Sequence, residues 1–274
     1  MTKPSNPLAS LTGPLVLAGA GKMGGAMLTG WLAGGLDPTR VIVVDPFVTD
    51  DIRALEARGV RLNPSSSEAA STLVVAVKPQ NFQDAGPMLR GFTKPSTLVV
   101  SIMAGTTIAS LEKVCGGAVV RAMPNTPAAV GRGITVAVPA KGVTADQRTT
   151  ADALLRATGG VEWVDDEALM DAVTAVSGSG PAYVFLLAEE LAKAGVAAGL
   201  PQHLAMRLAR ETVSGSGELL RQSDLESAVL RQNVTSPGGT TAAALGVLMG
   251  DHGFNELMTK AVAAATARSK ELAK

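Results

Sequence analysis

The pattern of apolar and polar positions changes character once along the chain, near Val164. Before that point short apolar runs alternate with helix-forming stretches, and after it long alanine-rich stretches follow one another. Short apolar runs separated by helical stretches predict parallel strands that are buried on both faces of a sheet. The sequence therefore predicts an α/β domain over residues 1–164 and an all-helical domain over residues 165–274.

The first domain contains several apolar runs with the length of a strand. They cover residues 15–18, 41–44, 73–77, 97–102, 118–121, 134–138 and 161–164. Helices are predicted between some of these runs, at residues 25–36 and 81–89. Such alternation indicates a doubly wound parallel sheet, which binds its ligands beyond the carboxyl ends of the strands.

The second domain is predicted to consist of helices only. Its helical stretches cover residues 167–176, 181–198, 201–222, 225–231, 240–249 and 255–272. Several of these stretches are rich in alanine, glycine and leucine, and small residues let helices pack closely. A helical domain this apolar is expected to cover part of its surface with a partner subunit. The sequence thus predicts a homo-oligomer built from dimers through the C-terminal helices.

A glycine-rich segment, Gly-Ala-Gly-Lys-Met-Gly, directly follows the first predicted strand. Its spacing is that of a dinucleotide-binding fingerprint. In that motif Gly19 permits a sharp turn, Gly21 lets a pyrophosphate approach the backbone, and Gly24 lets helix and strand pack closely. The second predicted strand ends at Asp45, where a carboxylate can accept from the ribose hydroxyls of the adenosine. A plain glycine turn is the alternative, but the strand–helix–strand context favours a dinucleotide.

A second loop, Thr-Ser-Pro-Gly-Gly-Thr-Thr at residues 235–241, leads into the predicted helix at 240–249. Little side chain covers its backbone amides, and the positive end of the helix dipole favours an anion there. Thr240 and Thr241 add hydroxyl groups that can donate to a polar atom. The loop therefore predicts a carboxylate site, and an ordinary helix cap is the alternative.

Composition narrows the classes of function. The chain has 24 basic and 24 acidic residues with no charge block, which argues against nucleic-acid binding. A single cysteine, Cys115, excludes an internal disulfide, and no apolar stretch is long enough to cross a membrane, so a cytoplasmic protein is expected. The two histidines, His203 and His252, have no metal-ligand spacing and belong to no Ser-His-Asp set. Hydride transfer is compatible with a sequence that shows no such catalytic set, because it requires mainly the orientation of hydride donor and acceptor.

Five motifs together make the chain resemble the Δ1-pyrroline-5-carboxylate reductases. They are Gly-Ala-Gly-Lys-Met-Gly at 19–24, Ala-Val-Lys-Pro at 76–79, Arg-Ala-Met-Pro-Asn-Thr-Pro at 121–127, Val-Ser-Gly-Ser-Gly-Pro-Ala-Tyr at 176–183, and the loop at 235–241. The resemblance implies a Rossmann-type N-terminal domain and an all-α C-terminal dimerisation domain. It also implies the last step of proline biosynthesis, in which NADPH or NADH reduces 1-pyrroline-5-carboxylate to L-proline.

The resemblance also implies site residues. The substrate carboxylate would lie on Ser236, Gly238, Gly239 and Thr240, with Thr241 donating a hydrogen bond near the imine nitrogen and Lys78 beside the active site. Ser177 and Gly178 would line the substrate pocket where the domains meet, and Asp224 stands where the family is expected to carry a glutamate. The cofactor would contact Gly19, Gly21, Lys22, Met23, Gly24, Asp45, Val77, Lys78, Pro79, Asn125 and Thr126.

Asp45 departs from the family pattern. Members that favour NADPH tend to carry a small polar or basic residue there, whereas a carboxylate repels a 2′-phosphate. No arginine follows directly, and Arg53 is the nearest. The sequence therefore predicts that NADH is used at least as well as NADPH.

The sequence is also compatible with other functions. A β-hydroxyacid dehydrogenase also joins a Rossmann domain to a helical one, and it would need a lysine such as Lys193 acting on an alcohol. A related imine reductase is a further enzymatic alternative. A non-catalytic protein that senses dinucleotides would bind the cofactor without turnover.

Overall fold

The strands form one eight-stranded sheet with the order β3-β2-β1-β4-β5-β6-β7-β8. This computed structural model describes residues 8, 9 and 11–273. The strands are β1 Leu15–Ala18, β2 Val41–Val44, β3 Arg61–Leu62, β4 Thr72–Val75, β5 Leu98–Ser101, β6 Ala118–Met123, β7 Gly133–Pro139 and β8 Gly159–Trp163. The sequence predicted all of them except β3, whose two residues are too short for a periodic pattern.

The sheet is parallel except at one pair. β6 and β7 run antiparallel, with Ala122 opposite Ala137. A parallel neighbour needs a long crossover connection, whereas the chain between β6 and β7 makes only a short 3₁₀ turn, Thr126–Val130. The predicted doubly wound α/β fold is confirmed, and this reversal is the one difference from a purely parallel sheet.

Helices cover both faces of the sheet. The first part of the chain contributes α1 Lys22–Ala33, α2 Asp50–Arg53, α3 Phe82–Gly91, α4 Ile108–Cys115 and α5 Ala145–Arg156. On one face the indole of Trp31 is fully buried and donates to the carbonyl of Leu154 at 2.8 Å, which joins α1 to α5. On the other face Leu89, Leu111 and Cys115 pack against the strands. Burial raises the pKa of the Cys115 thiol to about 11, so this cysteine is a core residue.

Beyond β8 the described chain is helical. The helices are α6 Met170–Val173, α7 Gly180–Ala197, α8 Gln202–Gln222, α9 Ser227–Asn233, α10 Thr240–Leu248 and α11 Phe254–Leu272. The predicted helix at 167–176 is broken into a 3₁₀ turn, α6 and a π-helical turn, Thr174–Gly178. The remaining predicted helices match the observed ones to within a few residues.

The chain divides into two compact units, and the division lies later than the change from strands to helices. The strands end at Trp163, next to the predicted boundary, whereas the first unit continues to Gly178 and also takes in the end of α11 from Thr266. The second unit is Ser179–Ala265. Within the first unit the hydroxyl of Ser269 donates to Asp171 at 2.6 Å, which joins the end of α11 to α6.

The helices of the second unit leave much apolar surface uncovered. α10 has no buried residue although six of its nine residues are apolar, and α7 buries only Ala192. Across the described residues, only Phe47, Met88 and Val130 are large exposed apolar side chains outside the stretch from Leu169 onward. An apolar helix without a buried face is typical of a subunit interface. Among the described helices, none has the length and hydrophobicity to span a membrane.

Candidate active site

The glycine turn between β1 and α1 has almost no room for side chains. Gly19 has φ +93°, and its amide donates to the carbonyl of Val44 at 2.9 Å. A Cβ atom on Gly19 would lie 2.6 Å from the carbonyl oxygen of Ala76, and one on Gly24 would collide with the carbonyl oxygen of Gly19. The first and third glycines of the motif thus let the turn and α1 approach the neighbouring backbone.

Gly21, the middle glycine, faces open space instead. It is the N-cap of α1, and a Cβ atom built on it would meet nothing within 4 Å. α1 begins at Lys22, three residues earlier than predicted, so the amides of Lys22 and Met23 lie in its first turn. Unobstructed amides at a helix N-terminus suit a pyrophosphate, and the turn therefore fits a dinucleotide.

The Asp45 carboxylate bridges the end of β2 to this turn. One of its oxygens accepts from the amide of Ala20 at 2.6 Å, and the other accepts from the amide of Phe47 at 2.7 Å. The residue is partly exposed, and each carboxylate oxygen retains a lone pair for a further donor. Sequence reasoning predicted a carboxylate at this strand end but missed its contact with the glycine turn.

The remaining cofactor candidates follow other strands at the same edge of the sheet. Lys78 comes after β4, is exposed and leads into a 3₁₀ turn that starts at Pro79, while Val77 is partly buried. After β6 the side-chain oxygen of Asn125 accepts from the amide of Ile134 at 2.9 Å. This bond ties the loop to β7.

The exposed Thr126 follows Asn125 and begins the 3₁₀ turn after β6. Because β1, β4 and β6 belong to the parallel part of the sheet, their carboxyl ends share one edge. The structure therefore brings the glycine turn, Lys78 and the Asn125–Thr126 pair to that edge.

Arg121, the first residue of the Arg-Ala-Met-Pro-Asn-Thr-Pro motif, has a structural role that the sequence did not reveal. It is 5% exposed, and its guanidinium contacts a carboxylate oxygen of Glu167 at 2.7 Å. The same oxygen accepts from the amide of Ile108 at the start of α4 at 2.8 Å. The pair therefore fastens β6 and α4 to the segment that follows β8.

Two of the motifs meet at Gly178. A Cβ atom on this glycine would lie 2.5 Å from the terminal methyl of Met123 at the end of β6. Ser177 precedes it in the π-helical turn, and its hydroxyl donates to the carbonyl of Val173 at 3.0 Å. Turns of this kind often occur at functional sites. The structure thus joins Ser177 and Gly178 to the strand end that carries the Asn125 loop.

The loop before α10, residues 235–239, belongs to the second unit and is open. Gly239 is the N-cap, so no side chain caps the first amides of α10, and Gly238 has φ +72°, which suits glycine. Ser236 and Thr240 are exposed, and Thr241 lies in the first turn of α10, partly exposed. The amides at this helix end therefore need an acceptor from outside the helix.

Asp224 and Lys193 lie elsewhere in the second unit. Asp224 is exposed in the connection between α8 and α9. The exposed Lys193 contacts Glu189 at 2.6 Å and Glu190 at 2.8 Å, and hydrogen bonds to these two carboxylates raise the pKa of its ammonium group. A lysine held in its charged form is a poor candidate for general base. In the described part of the chain, no cluster of three His, Cys, Asp or Glu residues could hold a metal ion.

A Rossmann sheet with a turn that fits a dinucleotide, followed by an apolar helical unit, is the architecture of NAD(P)H-dependent oxidoreductases that join a Rossmann domain to a helical one. A family model described as "Pyrroline-5-carboxylate reductase dimerisation" matches residues 167–272, and one described as "NADP oxidoreductase coenzyme F420-dependent" matches residues 15–105. A pyrroline-5-carboxylate reductase of Synechocystis is 42% identical over 95% of this chain and 98% of its own length. The chain belongs to the pyrroline-5-carboxylate reductase family.

Solved structures of the family agree with this assignment. The pyrroline-5-carboxylate reductase of Coxiella burnetii superposes with a TM-score of 0.86 at 35% identity, over 96% of this chain and all of the other. The Plasmodium falciparum enzyme with NADP bound has a TM-score of 0.78 at 32% identity, over 95% of this chain and 98% of the other. The predicted family, fold and NAD(P)H-dependent reductase activity are therefore confirmed.

The glycine turn gives a paired test of its geometry. We expect Gly21→Ala to leave the thermal midpoint almost unchanged, since its methyl group meets no protein atom, but to weaken binding of reduced cofactor by about tenfold or more. Gly24→Ala, which collides with Gly19, should lower the thermal midpoint as well. Calorimetric titration and thermal denaturation measure the two effects. Unchanged cofactor affinity in Gly21→Ala would contradict the role assigned to this turn.

Proposed function

We propose that the loop before α10 is the substrate anchor with which this reductase converts 1-pyrroline-5-carboxylate to L-proline. The observation that carries the proposal is the N-terminus of α10, where Gly239 is the N-cap and no side chain caps the first helix amides. The substrate carries one carboxylate, and an anion is the acceptor that such amides favour. The amide of Thr240 and the hydroxyls of Ser236 and Thr240 would hold that carboxylate, while the amide of Gly239 already donates to the carbonyl of Ser236 at 3.1 Å.

Thr241 is proposed to act at the imine. A protonated C=N bond accepts hydride much more readily than a neutral one, and the substrate can arrive already protonated. Neither form calls for a strong base: towards a neutral imine nitrogen the Thr241 hydroxyl in the first turn of α10 would donate a hydrogen bond, and towards a protonated nitrogen its oxygen would accept one. Reduced nicotinamide supplies the hydride when the cofactor is bound.

The other candidates are proposed to orient substrate and cofactor. Lys78 would contribute positive charge at the edge where the cofactor binds, and Asn125 and Thr126 would lie near the nicotinamide. The contact between Gly178 and Met123 supports a place for Ser177 and Gly178 beside the same strand end. Asp224 would contribute to the substrate site.

Replacing Thr241 tests the proposed hydrogen bond. We expect Thr241→Ala to lower kcat/KM for pyrroline-5-carboxylate by about 10- to 100-fold, because a hydrogen bond to a charged group is lost in the transition state. Thr241→Ser keeps the hydroxyl and serves as the matched control, with activity close to wild type. Steady-state kinetics at saturating cofactor give the answer, and a kcat/KM within twofold of wild type for Thr241→Ala would sink the proposed role.

Asp45 is proposed to make NADH at least as good a cofactor as NADPH. Its carboxylate lies at the strand end beside the glycine turn, where the adenosine ribose is expected. A 2′-phosphate placed near a fixed carboxylate is repelled, whereas two free ribose hydroxyls can donate to it. The bond from Ala20 supports this proposal, because it keeps the carboxylate directed towards the cofactor turn.

The cofactor preference is tested by a change of charge at constant size. Wild-type enzyme should show a kcat/KM with NADH that equals or exceeds the value with NADPH. Asp45→Asn should shift the ratio towards NADPH by about tenfold, while the exposed Asp146→Asn, which changes net charge equally, should leave it unchanged. A tenfold preference of the wild type for NADPH would falsify the proposed preference.

A homodimer through the C-terminal helices is proposed as the basic assembly, from which larger oligomers can be built. The family match over residues 167–272 and the uncovered apolar side chains of α7 and α10 support it. The cytoplasmic location stays a prediction.

Light scattering at micromolar concentration tests the assembly. We expect a mass of twice the chain or a larger even multiple, because exposed apolar helices associate. Replacing the exposed Leu248 of α10 by Glu should weaken association, whereas Val130→Glu in the first unit should not. A wild-type monomer under these conditions would rule out the dimer.

The alternative functions have less support. A hydroxyacid dehydrogenase would need a basic lysine, and Lys193 is held as a cation by two glutamates. Oxidation of reduced cofactor that depends on pyrroline-5-carboxylate, but not on other cyclic imines, would separate this reductase from related imine reductases. A non-catalytic dinucleotide sensor would bind cofactor without any turnover.

A further inference from the structure

At the end of β3 the backbone leaves the sheet, and the side chain of Asn63 continues the hydrogen bonding to β2 in its place. β3 is parallel to β2, and the amide of Asn63 extends the ladder by donating to the carbonyl of Val43 at 2.9 Å. At Asn63 the backbone then turns into the left-handed region, with φ +42°. The next peptide group of β3 is therefore no longer available to β2.

The Asn63 carboxamide takes the place of that peptide group. Its oxygen accepts from the amide of Asp45 at 2.9 Å, and its nitrogen donates to the carbonyl of Asp45 at 2.8 Å. A side-chain amide has the same donor and acceptor as a peptide bond, so both backbone groups of Asp45 are satisfied by one residue. Two simultaneous bonds restrict the rotation of the Asp45 backbone.

The left-handed backbone conformation of Asn63 indicates that its contacts with the end of β2 hold it in place. Residues other than glycine rarely adopt positive φ, and asparagine tolerates it better than most. Such a conformation persists only where surrounding contacts determine it. Here the contacts are the three hydrogen bonds between Asn63 and the end of β2.

A chain of hydrogen bonds therefore leads from Asn63 to the cofactor turn. Asn63 fixes the backbone of Asp45, and the Asp45 carboxylate accepts from Ala20 in the glycine turn and from Phe47. With its backbone released, the carboxylate could rotate away from both amides. Its direction towards the ribose site thus depends on a residue 18 positions further along the chain.

We infer that Asn63 is a positioning residue for the adenosine end of the cofactor, which sets the discrimination between NADH and NADPH by holding Asp45. This inference rests on the proposed cofactor role of Asp45. Asn63 acts through the strand end and contacts neither the reacting carbon nor the nicotinamide.

Equilibrium binding without substrate tests the inference in the intact enzyme. Asn63→Gly accepts the left-handed backbone and removes only the carboxamide, so the Kd for NADH should rise about tenfold and the NADH-to-NADPH affinity ratio should fall at least about threefold. At saturating NADH, kcat should stay within about twofold of wild type, because the reacting groups are untouched. The matched control is Arg61→Ala, an exposed neighbour on β3 that pairs with Glu68, and it should leave both Kd values unchanged.

Asn63→Ser provides a second variant that adds no charge. Its short side chain cannot bond both the amide and the carbonyl of Asp45, so the same shift in ratio is expected whether or not Asn63→Gly folds. An unchanged ratio in a folded variant, even with a lower thermal midpoint, would mean that Asn63 is merely structural.

Asp45→Asn, measured in the same assay, distinguishes the cofactor role of Asp45 from the positioning role of Asn63. If it leaves the affinity ratio at the wild-type value, the proposed role of Asp45 fails and the inference about Asn63 falls with it. If Asp45→Asn shifts the ratio while both Asn63 variants do not, only the positioning role of Asn63 is overturned. A shift in all three variants, without one in Arg61→Ala, supports both.

Discussion

The close approach of backbone to backbone at the glycine turn is the constraint on which the cofactor edge depends. No side chain fits at Gly19 or Gly24, so β1, the turn and the start of α1 lie in direct contact with the backbone after β4. This contact puts the first amides of α1 at the carboxyl end of the sheet. Of the three glycines of the motif only Gly21 faces free space, and the pyrophosphate of the cofactor is expected there.

The sheet order explains why the cofactor candidates gather at that edge. From β1 the chain proceeds outward to β2 and β3 on one side, and then returns to β4 on the other. Ligands of open α/β sheets bind where the strand order reverses in this way. Gly19 and Lys78 flank that point, and Asp45 ends the neighbouring strand. The glycine turn is positioned by its close packing against the backbone of Ala76 and by the hydrogen bond from the amide of Ala20 to Asp45.

The helical unit differs from the sheet in that its apolar side chains stay exposed within one chain. Its apolar positions do not converge on a core of their own within one chain, since α10 buries none of its residues. Apolar area of this kind is stable in water only when another surface covers it. The same unit carries the Thr-Ser-Pro-Gly-Gly-Thr-Thr loop, so the proposed substrate anchor belongs to a unit that the proposed dimer would stabilise.

The sequence by itself predicted seven of the eight strands, the glycine turn and helices α1, α3 and α7 to α11, because hydrophobic periodicity and turn chemistry are local properties of a few neighbouring residues. Helices α2, α4 and α5 were not predicted, and the family rested on the resemblance of five motifs. Seven predicted runs became strands, and the loop at 235–241 did precede a helix. Only the tertiary structure decided the antiparallel pairing of β6 with β7, the Arg121–Glu167 ion pair and the hydrogen bonds between Asn63 and Asp45. Each of these depends on which strands become neighbours, and that choice is made by packing across the whole sheet rather than by any pattern along the chain.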